Sequence, residues 1–219
     1  MRPTSVIVIA YLLGSIPFGY LIVRAKKGGD IRETGSGGTG ATNVSRRAGV
    51  SAGVVTLVLD ALKGMAAVVV AAWILDVPLV HIFTREPLDI LEKSGLTFQQ
   101  AYWCLWGAAI AVIIGHMFPV WLRFKGGKGV AAFLGVLFAF RPPIAAVLTC
   151  LTWLTMAWAT RYSSLAALAA AILAPLYFLL LGTTLYALLA LVLAILIIYA
   201  HRANIARLLR GEEPKIGSA

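Results

Sequence analysis

Apolar residues are concentrated in seven segments of the chain, and short polar stretches separate these segments. A run of about 20 apolar residues is long enough to cross the hydrocarbon core of a bilayer as an α-helix. We therefore expect an all-α, polytopic membrane helix bundle with about seven spans, built as a single domain over residues 1–219. The predicted spans lie near residues 4–23, 52–75, 101–121, 143–159, 163–181 and 183–200, with a shorter one near 129–140.

Glycine, proline and polar residues mark the ends of several predicted spans. Residues 141–143 (Arg-Pro-Pro) separate the short span from the next one, because proline lacks a backbone donor and restricts the residue before it. Similar breaks are expected at 161–164 and 182–184. Within the first span, residues 14–19 (Gly-Ser-Ile-Pro-Phe-Gly) predict a kink whose small residues favour close helix packing or leave room for a ligand.

The composition supports a membrane protein. Hydrophobic residues make up 60% of the chain and charged residues 13%, a balance that excludes a soluble domain of this size. Cys104 and Cys150 both lie in apolar segments, so we expect neither a disulfide nor a cysteine metal site. The first apolar run contains Pro17 and precedes basic residues rather than a small-residue cleavage site, which is not the pattern of a cleaved signal peptide.

The formal net charge of +10 comes from short basic clusters between the apolar segments. Nucleic-acid-binding proteins are also basic, but this distribution fits membrane lipids and substrate phosphates better. With the N-terminus outside and the C-terminus cytoplasmic, fourteen of the 19 lysines and arginines fall on the inside, as the positive-inside rule requires. The one long external connection is then 76–99. The pattern carries no signal for an oligomeric state.

Residues 32–47, named loop one, are rich in glycine and hydroxyl residues. Glycine permits positive φ angles and close backbone approach, so that successive N–H groups can point at one anion. A formal G-x-G-x-x-G match at 35–40 lacks the preceding strand of a dinucleotide site, so we do not assign it to one. The simpler alternative is a flexible basic turn. The candidate phosphate ligands in loop one are Gly35, Ser36, Gly37, Gly40, Thr42, Asn43 and Arg46.

A second glycine-rich basic segment, residues 123–130, is named loop two. Its candidate ligands are Gly126, Gly127, Lys128 and Gly129. Lys128 lies between glycines, where an ammonium group could approach a phosphate without obstruction. The segment lacks the spacing and the hydroxyl residue of a nucleotide-binding P-loop, so nucleotide hydrolysis is not predicted. A basic cytoplasmic turn is again the alternative.

The C-terminal segment places His201, Asn204 and Arg207 on one face of a predicted helix, because residues three or four apart are neighbours. That face suits a substrate clamp. The alternative is an amphipathic helix at the lipid interface, with Leu208 and Leu209 on its apolar side.

Asp60 and Lys63 form an ionisable pair within the second predicted span. Such residues are costly in a membrane helix and usually face a cavity or each other, so the pair is either part of a site or purely structural. No set of His, Asp or Glu residues has metal-ligand spacing, and His116 is not expected to bind a metal.

Five ordered blocks of the chain together resemble the bacterial acyl-phosphate:glycerol-3-phosphate acyltransferases, membrane enzymes that begin phosphatidate synthesis. The blocks are 14–19, 35–46, 59–64, 115–131 and 201–216. Gly38 and Thr39 depart from the family pattern, which usually has Asn and then an apolar residue or proline. The resemblance implies a bacterial plasma membrane enzyme without metal or other cofactor, whose active site faces the cytoplasm.

The resemblance implies that acyl phosphate and glycerol 3-phosphate react to give lysophosphatidic acid, acylated at the sn-1 hydroxyl, and inorganic phosphate. The implied catalytic residues are Ser36, Arg46, Lys128, His201 and Asn204. The implied substrate-binding residues are Gly35, Gly37, Gly40, Thr42, Asn43, Gly126, Gly127, Gly129, Asp60, Lys63, Arg207 and Glu213.

We expect catalysis mainly by positioning and charge stabilisation. His201 is the best side-chain candidate for a general base, and a substrate phosphate oxygen is the alternative. A covalent acyl-Ser36 intermediate is less favoured. The rival functions are transport of an organic phosphate anion and structural lipid binding. Transport is disfavoured because nearly all polar groups lie on one side and no inverted repeat is evident.

Overall fold

The computed structural model describes residues 3–35, 37–77, 97–140 and 142–217, and within these ranges it contains helices and no strand. The helices are α1 (Pro3–Ser15), α2 (Phe18–Lys27), α3 (Ala41–Ala48), α4 (Val50–Ile74), α5 (Phe98–Met117), α6 (Val130–Ala139), α7 (Pro143–Thr160), α8 (Ser163–Leu180), α9 (Thr184–Ala200) and α10 (Arg202–Leu209). Short 3-10 turns occupy Ile31–Glu33 and Val120–Leu122. Ser36, Arg141 and most of the predicted external loop 76–99 lie outside the described residues.

The helices confirm a polytopic, all-α membrane protein. Five segments of the described chain are long and apolar enough to span a bilayer, and the count is six if α9 and α10, bent by 62°, form one span. The ten residues of α6 extend only about 15 Å, half of a hydrocarbon core of about 30 Å. The expected count of seven spans therefore depends on α6 and stays a prediction, as does the orientation.

The helix of the first span is interrupted where the kink is predicted, since α1 ends at Ser15 and α2 begins at Phe18. Pro17 has no backbone N–H, so the regular helical hydrogen bonds are interrupted there. The Nζ of Lys63, on α4, donates to the carbonyl oxygen of Ile16 at 2.8 Å. A charged donor from the neighbouring helix thus satisfies a carbonyl group at the break.

Pairs of glycines bring helices into backbone contact at two crossings. A Cβ at Gly14 or Gly115 would overlap the facing backbone of α5 or α1, respectively. A Cβ at Gly64 or Gly135 would overlap the facing backbone of α6 or α4. Small residues are the usual means of close helix packing in membranes, where lipid is as apolar as the helix surface.

A cluster of aromatic rings lies at one end of the bundle. The Tyr186 ring lies with its centroid 5.8 Å from that of Tyr102, 5.2 Å from that of Phe140 and 6.1 Å from that of Phe178. Tyr186 lies at the start of α9 and Tyr102 at the start of α5, whereas Phe140 directly follows α6 and Phe178 lies near the end of α8. We call this the far end.

The opposite end, named the site end, gathers the polar loops. Hydrogen bonds join residues that are distant in sequence, including Arg32 to the carbonyl oxygen of Leu122 and Arg46 to that of Pro214. The ends of α2, α5, α7 and α9 meet there with the starts of α4, α6 and α8. The fold therefore brings loop one, loop two and the C-terminal segment together.

Candidate active site

A cavity of about 280 Å³ opens at the site end. Its volume is near the lower end of the range for small-molecule sites. It is bounded by loop one, loop two, α7, α8, α10 and the tail that follows α10. The predicted site residues that line it are Gly40, Thr42, Asn43, Arg46, Asp60, Gly127, Lys128, Gly129, His201, Asn204, Arg207 and Glu213.

Four predicted site residues with a described position do not line this cavity: Gly35, Gly37, Gly126 and Lys63. The first two shape loop one with positive φ angles of 58° and 69°. The backbone N–H of Gly126 donates to the carbonyl oxygen of Met117 at 3.1 Å. These glycines therefore form the turns that support the cavity wall.

Asn43 organises loop one. Its buried Nδ2 donates to the carbonyl oxygens of Ile31, Thr34 and Gly38, at 3.2, 3.0 and 2.9 Å. A Cβ at Gly35 would overlap the Asn43 side-chain oxygen. The result is a loop whose carbonyl groups turn toward Asn43, while Gly38 lines the cavity.

The start of α3 borders the cavity with Gly40, Ala41 and Thr42. Backbone N–H groups at a helix start attract anions. Arg46, one turn further along α3, also lines the cavity, whereas the neighbouring Arg47 is not among the lining residues. The arrangement places a cation and a helix start on the same side.

Asp30 and Arg32 connect loop one with the turn before loop two. Arg32 Nη1 donates to the carbonyl oxygen of Leu122 at 2.8 Å, and its Nε donates to both carboxylate oxygens of Asp30 at 2.9 and 3.0 Å. Hydrogen bonding to Arg32 lowers the pKa of Asp30 more than burial raises it. The only sign of this link in the sequence is the presence of an acid and an arginine two residues apart, which does not predict the contact with Leu122.

Loop two folds back against the end of α5. The backbone N–H of Gly127 donates to the carbonyl oxygen of His116 at 3.1 Å, and a Cβ at Gly127 would overlap the His116 ring. This position requires glycine for space. It brings Lys128 into the cavity, where burial lowers the pKa of its ammonium to about 8. The nearby Arg207 and Arg46 lower the pKa further, against the opposing effect of Glu213.

The C-terminal segment forms a buried hydrogen-bond cluster. Glu213 accepts from Asn204 Nδ2 at 2.6 Å and from Arg207 Nε at 2.7 Å. Burial would raise the pKa of Glu213, but the hydrogen bonds from Asn204 and Arg207, together with the nearby Ser164 hydroxyl, outweigh burial and hold the pKa below its usual value. Glu213 thus fixes two side chains that line the cavity.

His201 lies at the bend between α9 and α10 and is buried. Its Nδ1 is 2.8 Å from the carbonyl oxygen of Ile197. Because a carbonyl oxygen only accepts, Nδ1 carries the proton in this contact, and Nε2 of the neutral ring is then the basic nitrogen.

A buried ionic cluster joins α4 and α5 behind the two loops. Lys63 Nζ is 2.7 Å from Asp60 Oδ1, and His116 Nδ1 is 3.6 Å from the same oxygen. Asp60 is only 2% exposed, and Lys63 and His116 are each 5% exposed. Asp60 and His116 line the cavity, while Lys63 faces the break between α1 and α2.

Part of the cavity lining is an apolar wall. It is formed by Leu57, Val130, Leu134, Cys150, Trp153, Leu154 and Ala167. Leu57 and Leu154 are also exposed on the outer surface of the bundle, at 40 and 56%. The cavity therefore joins a cationic polar end to a hydrophobic wall beside the lipid.

Comparison with known proteins decides the family. The profile of glycerol-3-phosphate acyltransferases matches residues 4–211. The chain belongs to the glycerol-3-phosphate acyltransferase family. It is therefore an enzyme, a multi-pass membrane acyltransferase.

Several relatives cover nearly all of this acyltransferase. The glycerol-3-phosphate acyltransferase of Mesorhizobium japonicum is 45% identical over 212 residues, which cover 97% of this chain and 95% of that protein. The glycerol-3-phosphate acyltransferase of Bradyrhizobium diazoefficiens is 44% identical over 211 residues, which cover 96% of this chain and 93% of that protein.

Two crystal structures of PlsY (YgiH), an integral membrane glycerol 3-phosphate acyltransferase, share the fold. The glycerol 3-phosphate form has a TM-score of 0.82 and 39% identity, and covers 99% of this chain and 96% of that chain. The lysophosphatidic acid form has a TM-score of 0.80 and 38% identity, with the same coverage.

Among the residues that line the cavity of this acyltransferase, His116, Ser164 and the individual residues of the apolar wall were not predicted as site residues. His116 was visible beside Gly115, but nothing in its spacing connected it with Asp60. In the sequence, Trp153 and Leu154 cannot be distinguished from ordinary span residues, because the same residue types line an apolar cavity and face lipid.

Proposed function

We propose that this acyltransferase transfers a fatty acyl group from acyl phosphate to the sn-1 hydroxyl of glycerol 3-phosphate, releasing lysophosphatidic acid and inorganic phosphate. The observation that carries the proposal is the cavity itself. Its lining combines three cationic side chains, Arg46, Lys128 and Arg207, with the apolar wall. Both substrates carry a phosphate, and the donor and the product also carry an acyl chain.

The phosphate groups bind at the polar end. Arg46 and Lys128 supply positive charge, and the start of α3 supplies backbone N–H groups. PlsY, which is similar over almost the whole chain, has been crystallised in a glycerol 3-phosphate form. That precedent supports the same acceptor here.

The reaction needs little acid catalysis, because acyl phosphate is an activated anhydride. The acceptor hydroxyl oxygen forms a bond to the acyl carbonyl carbon, the bond from that carbon to the phosphate oxygen breaks, and phosphate leaves with the bonding electrons. Lys128 and Arg46 stabilise the charge that develops on the carbonyl and phosphate oxygens. Positioning of the two substrates supplies the remainder of the rate enhancement.

The hydroxyl proton goes to Nε2 of His201 or to a phosphate oxygen of the substrate. The contact of His201 Nδ1 with the Ile197 carbonyl oxygen favours the ring form that accepts at Nε2. His201→Ala assayed against pH separates the two routes. Loss of about a hundredfold or more, together with loss of one pKa from the rate profile, identifies His201 as the base. A small loss that is equal at every pH assigns the proton to the substrate phosphate.

Ser36 lies outside the described residues, and its catalytic role stays a prediction. A phosphate ligand at this position accords with its place between Gly35 and Gly37. Mass spectrometry of enzyme quenched during turnover tests the covalent alternative, since an acyl-Ser36 adduct would make Ser36 a nucleophile.

We further propose that the enzyme resides in a bacterial plasma membrane with the cavity facing the cytoplasm. The basic residues of the loops around the cavity support this orientation through the positive-inside rule.

The deciding experiment measures products from the purified protein in lipid nanodiscs. Palmitoyl phosphate is supplied with and without glycerol 3-phosphate, and lysophosphatidic acid and phosphate are quantified. We expect equal amounts of both products, formed only with the acceptor. Arg46→Ala should reduce kcat/KM by about a hundredfold.

Arg47→Ala is the matched control, since it removes the same charge from the adjacent position outside the cavity. It should retain nearly full activity. Absence of product from folded wild-type protein rejects the proposed reaction and favours transport of an organic phosphate, which uptake of labelled glycerol 3-phosphate into proteoliposomes would detect.

A further inference from the structure

The tail that follows α10 crosses the site end and is fastened to the junction of α7 and α8. The backbone N–H of Ile216 donates to the carbonyl oxygen of Arg161 at 2.6 Å. In return, Arg161 Nη2 donates to the carbonyl oxygen of Ile216 at 3.0 Å. Arg161 and Ile216 are therefore joined through both the main chain and a side chain, although 55 positions separate them.

A second contact lies beside the first. The Lys215 ammonium is 5.6 Å from the centroid of the Tyr162 ring, which is within the range of a cation–π interaction. The tail thus meets two successive residues of the junction. We call residues 213–216 the strap.

The backbone conformation does not account for the arginine at position 161. Arg161 ends α7 in the left-handed region, with a φ of 60°. Glycine adopts this conformation without strain, whereas other residues incur a steric cost. What the arginine adds is its guanidinium contact with the strap.

The strap begins inside the cavity. Glu213 is buried and holds Asn204 and Arg207 by hydrogen bonds of 2.6 and 2.7 Å. Pro214 lines the cavity, and its carbonyl oxygen accepts from Arg46 Nη2 at 3.4 Å. The strap therefore links three sides of the site: α3, α10 and the α7–α8 junction.

We propose that Arg161, outside the cavity, is a positioning residue for the acyltransferase. By fastening Ile216 it keeps Glu213 and Pro214 in the cavity wall, and through them it sets the positions of Asn204, Arg207 and Arg46. The inference rests on the proposed function, because these residues surround the polar end where glycerol 3-phosphate would bind. Loosening the strap should weaken acceptor binding and leave the apolar wall unchanged.

The test begins with two changes to the same contact. Arg161→Ala removes the guanidinium donor, and Ile216→Pro removes the backbone donor on the other partner. Ile216→Ala is the matched control because it keeps the N–H group. Arg24→Ala, at an exposed arginine of the same end of the bundle, controls for loss of charge.

KM and kcat are then measured separately for glycerol 3-phosphate and for palmitoyl phosphate. We expect Arg161→Ala and Ile216→Pro each to raise KM for glycerol 3-phosphate by about two- to tenfold, the range that one lost hydrogen bond supports. KM for palmitoyl phosphate should rise less, because the apolar wall still holds its acyl chain, and the Tm should change little. Arg161→Lys should restore part of the loss, and the double variant Arg161→Ala/Ile216→Pro should be no worse than the poorer single variant.

The proposal is overturned by an unchanged KM for glycerol 3-phosphate in Arg161→Ala, or by parallel loss of Tm and kcat without a change in KM. Additive effects in the double variant would also overturn it. Hydrogen exchange provides a readout that does not depend on turnover, since Arg161→Ala should speed exchange of the strap amides in the free protein. If wild-type protein forms no product, the proposed function fails, while the exchange data still decide whether Arg161 fastens the strap.

Discussion

At the scale of single residues, environment decides what each polar side chain does. Asn43 and Asn204 are both buried and both border the cavity. Asn43 donates to the carbonyl oxygens of Ile31, Thr34 and Gly38, in or just before loop one, whereas Asn204 donates to Glu213. The same residue type therefore builds a loop in one place and part of a cavity-lining cluster in the other.

Lys128 should give the enzyme a pH dependence. Only the protonated ammonium attracts phosphate, and its pKa of about 8 places deprotonation just above neutral pH. KM for glycerol 3-phosphate should therefore begin to rise between about pH 7 and 8 and increase at higher pH by up to about tenfold per pH unit. Steady-state kinetics at saturating acyl phosphate measure the effect.

Lys128→Arg provides the corresponding control, because a guanidinium keeps its proton throughout this range. Its basal activity can differ, but its KM should no longer rise above about pH 8. If the alkaline rise persists unchanged in this variant, another group is responsible.

The Asp60–Lys63 pair should be essential for stability. Removing one member leaves a buried charge without its partner, which costs about 3–5 kcal/mol. Thermal unfolding in detergent should therefore show a large drop in Tm for Asp60→Asn and for Lys63→Met. The double variant Asp60→Asn/Lys63→Met should recover much of the lost stability. If its loss of Tm equals the sum of the losses in the two single variants, the two charges do not depend on each other.

At the scale of helices, backbone contact between α4 and α6 holds loop two in place. Gly64 and Gly135 lie at this crossing, and α6 begins directly after loop two. Lys128 comes two residues before α6, so this crossing also helps to keep the half-buried Lys128 at the cavity.

Alanine at either glycine should force α4 and α6 apart. We expect Gly64→Ala and Gly135→Ala to destabilise the protein by about 1–3 kcal/mol and to reduce activity, because the facing atoms belong to backbone. Gly107→Ala is the matched control within a helix, since its Cβ would meet only the end of the Ile7 side chain, at 3.2 Å. Equal Tm values for all three variants would contradict the packing argument.

At the scale of the whole molecule, the fold divides into a polar site end and an aromatic far end. The site end combines the loops that contain most of the basic residues, and the far end contains the ring cluster around Tyr186. This division is what the positive-inside rule predicts for a membrane protein with its site toward the cytoplasm.

The orientation can be measured with reporters at the two termini. We expect a periplasmic reporter to be active only at the N-terminus and a cytoplasmic reporter only at the C-terminus. Both termini on one side of the membrane would mean an even number of crossings, in which case α6 does not complete one.

The sequence by itself determined the local features of the fold. Proline and glycine placed the breaks at Pro17, at 141–143 and at 182–184, because those residues act on the backbone of their own segment. Apolar runs determined the helices, and the ordered motifs were sufficient to indicate the family. Most of the candidate site residues could also be chosen from the sequence, since glycine, lysine and arginine in a polar loop are unusual in a membrane chain.

Only the tertiary structure decided which of those residues share a cavity and how each is used. Arg46 meets Pro214 across 168 positions, and Arg161 meets Ile216 across 55. Such contacts depend on how helix ends pack in three dimensions, and no periodicity along the chain records them. For the same reason the apolar wall and the place of His116 beneath Gly127 could not be predicted from composition or spacing.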